Sequence, residues 1–206
     1  MIDASSPSLA PSHAPSLAPS LGSSRASPLF LREREIRRGI ELLYFGYTSM
    51  IRGADTILEE KGLGRAHHRA LYFIARQPGL AVSDLLRLLA ITKQSLSRVL
   101  ADLMRMQFVE QSVGTLDRRQ RLLMLTDAGM AMEARLFEVL RERMSGAYAA
   151  AGQQAVSGFW AVLAGLIPPT DRAMIEELDR QARIAIQSRA GDRKATAAPA
   201  DPEVQD

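Results

Sequence analysis

Cysteine is absent from this 206-residue chain. Disulfides, thiolate zinc sites and thiol redox sensing are thereby excluded, and a reducing cytoplasm is the expected location. No apolar run approaches the roughly 18 residues that a membrane-spanning helix needs. The opening residues MIDASSPSLAPSHAPSLAPSLGSS lack a basic region followed by a compact apolar stretch, so they make a poor secretory signal. There is no Gly-rich phosphate loop, no nucleophile elbow and no paired acid/base set assignable to one surface, which argues against an enzyme and against a bound cofactor. Histidine is scarce at three residues. His67 and His68 are adjacent on an expected helix and point about 100° apart, a poor chelate, so no metal site is expected and packing is the better reading.

Charge is small overall and uneven in distribution. The chain carries a net +3, but between Arg65 and Leu125 ten Lys or Arg face four Asp or Glu, a local +6 that leaves −3 for the rest. A basic module on a mildly acidic scaffold is the footprint of a nucleic-acid binder.

Residues 1–28 are Ser/Pro/Ala/Leu-rich with a near-repeat, and 190–206 are Ala/Pro/Asp-rich; both read as disordered tails. From about Leu29 to Lys61 a long helix is expected. Ile36, Ile40, Leu43, Tyr47, Met50, Ala54 and Ile57 draw one stripe at 4-3 spacing, ended at Gly62–Gly64. A shorter helix over about 66–76 follows, stopped by Gln77-Pro78-Gly79. Beyond the central module, helices are expected over about 127–151, with an apolar face of Met130, Ala134, Phe137, Leu140, Met144 and Tyr148, and over about 153–167. After Pro168-Pro169 a last amphipathic helix is expected to about Ser188. Helices at both ends carry more apolar surface than one neighbour requires, which points to a homodimer.

The informative stretch is Gly79 to Thr126. Ser83 is the expected cap of a short positioning helix that buries Leu85, Leu86 and Leu89, and Ala90-Ile91 makes the turn. Thr92 caps a second helix to about Met106, with Leu96, Val99, Leu100 and Leu103 at core spacing. Its other face carries Lys93, Gln94, Ser95, Ser97 and Arg98, side chains suited to base edges and phosphates, near the N-terminal turns that a recognition helix presents to the major groove. Residues 108–111 and 122–125 read as strands around a tip holding Asp117, Arg118, Arg119 and Arg121, suited to a narrow, electronegative minor groove. The fold class is therefore mainly α with a small β-hairpin wing: a winged helix-turn-helix over 65–126, between dimerisation helices at 29–64 and 127–189.

The helix ITKQSLSRVLADLMRMQFV and the wing LDRRQRLLMLTDAG, with its Asp-x-Arg and following Leu-Thr-x-x-Gly, resemble the MarR family of bacterial dimeric transcriptional regulators. The resemblance spans roughly Arg34 to Ile167, and the GRAHHRALYFIARQPGL segment resembles a small subgroup of that family. It implies that Asp117 orients Arg119 as the minor-groove arginine and that Arg118 and Arg121 contact phosphates or support the wing. Gln94, Ser95, Ser97 and Arg98 would then be the major-groove set, beside Thr92 and Lys93 at the helix start. It further implies a homodimer on a pseudo-palindromic operator in double-stranded DNA, and a small aromatic effector in a crevice for which Tyr44, Tyr47, His68 and Tyr72 are the candidates; core packing is the competing role for all four. The family usually has Gly where Gln107 stands, and Gln there costs about 1 kcal/mol if φ is positive. The segment after Pro169 runs past the usual family end. The alternative to DNA binding is a dimeric helical protein that holds a protein partner through its winged module.

Overall fold

A computed structural model describes residues 27–114, 117–178 and 180. The tail readings for 1–26 and 190–206, and the end of the last helix near Ser188, lie outside the described residues. Two compact units emerge, one ending at Phe45 and the other starting at Gly46. In the first, a 3-10 turn at Pro28–Leu31 precedes the first turns of helix α1, Glu33–Glu59. Apolar side chains of this unit stand in solvent, among them Phe30 (68% exposed), Ile40, Leu43 and Tyr44.

The second unit holds the core. The rest of α1 buries Ile51, Ala54, Ile57 and Leu58. The stripe read along α1 is thus buried only at its C-terminal end; Ile36, Ile40, Leu43 and Tyr47 are exposed. Next come α2 (Arg65–Arg76), strand β1 (Leu80–Ala81), α3 (Val82–Leu89), α4 (Lys93–Arg105), β2 (Val109–Val113), β3 (Arg121–Leu125), α5 (Asp127–Ala151) and α6 (Gln153–Leu166). Residues 169–178 are again helical. The three strands form an antiparallel sheet in the order β1-β3-β2, with Leu123 opposite both Leu80 and Gln111.

Strand β1 was not legible as a strand, since two residues have no period of their own; its partner Leu123 supplies the pairing. Ser83 is not the cap of α3. The helix starts two residues earlier, at Val82, and its N-cap is Ala81, whose extended backbone belongs to the sheet. Sheet pairing fixes the helix start and leaves Ser83 inside the first turn.

Leu58, Leu71, Ile74, Leu85, Leu96, Leu103, Leu123 and Leu136 are all under 2% exposed, and they join six elements into one apolar cluster. Each such side chain contributes about 1.5–3 kcal/mol by leaving water. On α4 the buried set is Leu96, Val99, Leu100 and Leu103, as the spacing predicts. Helix α5 differs from its reading: Gly129, Met132 and Leu136 face the core, while Met130 and Phe137 of the expected apolar face are 41% and 45% exposed.

Among the described residues, two other than glycine adopt left-handed backbone, Ala90 in the helix-turn-helix turn (φ 51°) and Gln107 at the end of α4 (φ 57°). At Gln107 the Phe108 N–H donates to the Leu103 carbonyl (2.9 Å) and the Gln107 N–H to that of Met104 (2.9 Å), a Schellman closure. Thr126 lies against it. Its hydroxyl donates to the Gln107 carbonyl (2.5 Å) and accepts from the Gly129 N–H (3.0 Å), and its N–H donates to the Phe108 carbonyl (3.1 Å). A Cβ at Gly129 would overlap that same carbonyl oxygen, which explains the glycine three residues after the wing threonine.

Gln107→Gly should raise unfolding free energy by about 0.5–1 kcal/mol, because glycine adopts the left-handed conformation without a Cβ penalty. Gly129→Ala should lower it by about 1–3 kcal/mol through backbone displacement. Denaturant unfolding checks both; a neutral Gly129→Ala would mean that α5 is not pinned to Phe108.

Candidate DNA-binding surface and cleft

Helix α4 begins where Thr92 stops extending. The Thr92 hydroxyl oxygen accepts from the Ser95 N–H at 3.1 Å, and its O–H lies 2.9 Å from Ser95 Oγ. Thr92 and Ser95 thus build the helix start, and Ser95 keeps one hydroxyl proton to donate. Lys93, Gln94, Ser97 and Arg98 project beside them, all exposed. The free N–H groups and dipole of this helix end add positive potential where these side chains stand.

Carboxylates of the module are engaged selectively. Asp84 pairs with Arg87 at 3.0 Å and Asp102 with Arg105 at 2.9 Å, both one turn apart on the same helix. Asp102 has a second partner, His67 Nε2 at 3.4 Å, and Arg105 first and His67 second hold its carboxyl below the usual carboxylate range. Among the described residues, Lys93, Arg98, Arg118, Arg119 and Arg121 form no ion pair. These unpaired cations are the ones the sequence assigns to DNA.

The wing closes by hydrogen bonds from Gln120 N–H to the Asp117 carbonyl and from Gly114 N–H to the Gln120 carbonyl, each 3.0 Å. Asp117 Oδ1 accepts from the backbone N–H of Arg119 at 2.9 Å. The carboxylate therefore shapes the turn on which Arg119 sits and does not engage its guanidinium. Arg118 and Arg119 stand in the tip and Arg121 opens β3, all exposed.

A cleft of about 540 Å³ lies between α1, α2 and α5, lined by Tyr47, Met50, His68, Arg69, Tyr72, Phe73, Phe137, Leu140, Arg141, Met144 and Tyr148, among others. Tyr47, His68 and Tyr72 of the effector set come together here. Tyr44 belongs to the first unit, exposed and edge-on to Phe45. Burial pushes the His68 imidazole below its ordinary value, and the charge of Asp55 opposes that shift in part. Trp160 Nε1–H donates to the Tyr148 hydroxyl at 2.8 Å. A second cleft of about 560 Å³ at the wing base includes Arg76, Met124, Met130, Glu133 and Phe137. Burial raises the Glu133 carboxyl, and Arg76 opposes the rise.

Sequence reasoning missed the α5 and α2 contributors Phe137, Leu140, Arg141, Met144 and Arg69. The signal was present. The Met130-to-Tyr148 stripe on α5 is the lining of the two clefts, read in the sequence as ordinary helix packing. His67 was passed over because it was weighed only as a metal ligand or a packing residue.

Comparison with known proteins follows the same lines. Residues 61–120 match the family model described as MarR family. The HTH-type transcriptional regulator PetP of Rhodobacter capsulatus is 47% identical over 144 residues, covering 70% of this chain and 87% of that protein. A MarR mutant from E. coli in complex with operator DNA matches with a TM-score of 0.53 at 20% identity, over 69% of this chain and all (100%) of that one. NadR in complex with 4-hydroxyphenylacetate matches with a TM-score of 0.54 at 22% identity, over 60% of this chain and 88% of that one. The two structures share the fold; the relative at 47% identity, spanning most of both chains, fixes the lineage. This chain belongs to the MarR family of winged helix-turn-helix, DNA-binding transcriptional regulators.

Proposed function

We propose that the protein works as a homodimer on a pseudo-palindromic operator and that a small aromatic effector releases it. The observation that carries this reading is the set of unpaired cations and polar side chains on two neighbouring elements, the start of α4 and the wing. Gln94, Ser97 and Arg98 would read base edges in the major groove, with Lys93 and Ser95 on the adjoining phosphates. Arg119 would enter the minor groove, with Arg118 and Arg121 on the flanking backbone. Two copies related by a two-fold axis place their recognition helices about 10 bp apart.

Dimerisation is supported by apolar surface in each unit that its own chain leaves in water: Ile36, Ile40 and Leu43 in the first, Phe159, Trp160 and Leu166 in the second. Contiguous exposure of this kind marks an interface. Effector binding is supported by the 540 Å³ cleft, where tyrosines and methionines supply apolar walls and Arg69 and Arg141 supply positive charge. NadR, a protein of the same fold, has 4-hydroxyphenylacetate bound, and an aromatic acid or phenol fits the chemistry of this lining.

A mobility shift at two salt concentrations on the DNA upstream of the chain's own coding region tests the reading, with sedimentation for the oligomer. Affinity should fall about 10³-fold or more between roughly 50 and 200 mM salt. Arg119→Ala should weaken binding to specific and random duplexes alike. Gln94→Ala and Arg98→Ala should each cost about 1–3 kcal/mol on the specific site alone. Equal, small effects of all three would contradict this docking.

The cleft also makes stability depend on pH. His68 has a folded-state pKa below its ordinary 6.5, so the unfolded chain takes up its proton first as pH falls. Stability is therefore full above about 6.5 and is lost as pH drops towards the folded-state value. The thermal midpoint should decline between pH 7.5 and 5.5, and His68→Phe should flatten that decline. An unchanged slope in His68→Phe would show that the imidazole stays solvated.

A further inference from the structure

We infer that His67 is a positioning residue for sequence reading, tying the first turn of α2 to the recognition helix α4 through Asp102. The inference rests on α4 being the element that reads the operator. The Gly64 N–H donates to His67 Nδ1 at 3.0 Å, and the His67 N–H donates back to the Gly64 carbonyl at 2.9 Å. Because Nδ1 accepts, the proton of the neutral ring sits on Nε2. That N–H faces Asp102 Oδ2 at 3.4 Å, and the imidazole is only 14% exposed. The helix cap therefore sets both the ring's orientation and its tautomer, and the tautomer is the one that donates to Asp102.

Among the described residues this is the one polar side-chain hydrogen bond from α4 to another helix. Every other side-chain anchor of α4, Leu96, Val99, Leu100 and Leu103, is apolar. Apolar packing holds a helix against its neighbours but is non-directional; a hydrogen bond has a direction and fixes rotation about the axis. Asp102 lies one turn beyond Arg98 and two beyond Gln94 on the same i, i+4 ridge. Fixing Asp102 thus sets the angle at which Gln94 and Arg98 leave the helix. The next residue of α2, His68, lines the cleft. Adjacent histidines thereby divide their work between the ligand side and the DNA side of one helix.

Substitutions at His67 separate the tie from the cap. Glutamine can accept from Gly64 and still donate to Asp102, whereas glutamate keeps the cap and cannot donate. The probe is a duplex that the unmodified full-length protein selects from a random-sequence pool, compared with a scrambled duplex of equal length. His67→Gln should retain the selectivity. His67→Glu should lower affinity for the selected duplex about 3- to 10-fold, with the scrambled one and the thermal midpoint little changed, and this loss should vanish in an Asp102→Ala background. Equal behaviour of the Gln and Glu variants, equal loss on both duplexes, or a loss that persists in Asp102→Ala would overturn the inference. A protein that selects no sequence at all would instead overturn the reading of α4.

Discussion

Helix α4, the wing hairpin and α5 meet at one knot of hydrogen bonds, and their relative placement depends on it. The recognition helix ends in the left-handed turn at Gln107. The carbonyls of Gln107 and Phe108 then receive the hydroxyl and the N–H of Thr126, the residue that ends the wing and caps α5. Burial alone would leave α4, the hairpin and α5 free to slide over a shared apolar cluster. Directional bonds at a single point turn them into a frame, and the bare Cα of Gly129 lets the third member close on it.

From that frame outward, the module separates what binds from what supports. Asp84 and Asp102 hold Arg87 and Arg105 along their own helices, so these acids do not pair with Lys93, Arg98 or the wing arginines. Each exposed pair is worth little as stability because solvent screens it, and its larger effect is on which cations remain to meet an anionic partner. The same economy appears on α2. One face joins the core through Ala70, Leu71 and Ile74, another lines the cleft with His68, Arg69 and Tyr72, and its first turn touches α4 through His67.

Much of this was legible because local signals and tertiary demands agree. Thr92 caps α4 as its hydroxyl and position imply, α5 spans 127–151 as read, and Leu96 to Leu103 are buried at their helical spacing. Where a distant residue decides the outcome, local reading fell short. The two residues of β1 are a strand only because Leu123 and Leu122 of β3 pair with them, and that pairing takes the cap of α3 from Ser83. The apolar stripe of α5 is real, but helical periodicity does not distinguish a stripe facing the core from one facing a cleft. The sequence paired Asp117 with Arg119; which atom it holds depends on the turn, and the turn brings its carboxylate to the backbone N–H. His67 was hidden because a histidine replaces the Glu or Gln usual at the third position of a capped helix.

The knot at Gln107, Phe108 and Thr126 also bears on how the chain can vary. Both strands of the wing are anchored at their root, with Val109 opposite Leu125, while the described tip residues Gly114, Asp117, Arg119 and Gln120 hydrogen-bond to one another. Insertions or deletions at that tip would lengthen or shorten the reach of the arginines without disturbing the recognition helix, since longer loops carry only a slowly growing entropic cost. The reach of the wing arginines is thus an adjustable dimension, whereas the distance from α4 to the wing root is not. Divergence in target preference among such regulators can accumulate at the wing tip while the fold stays unchanged.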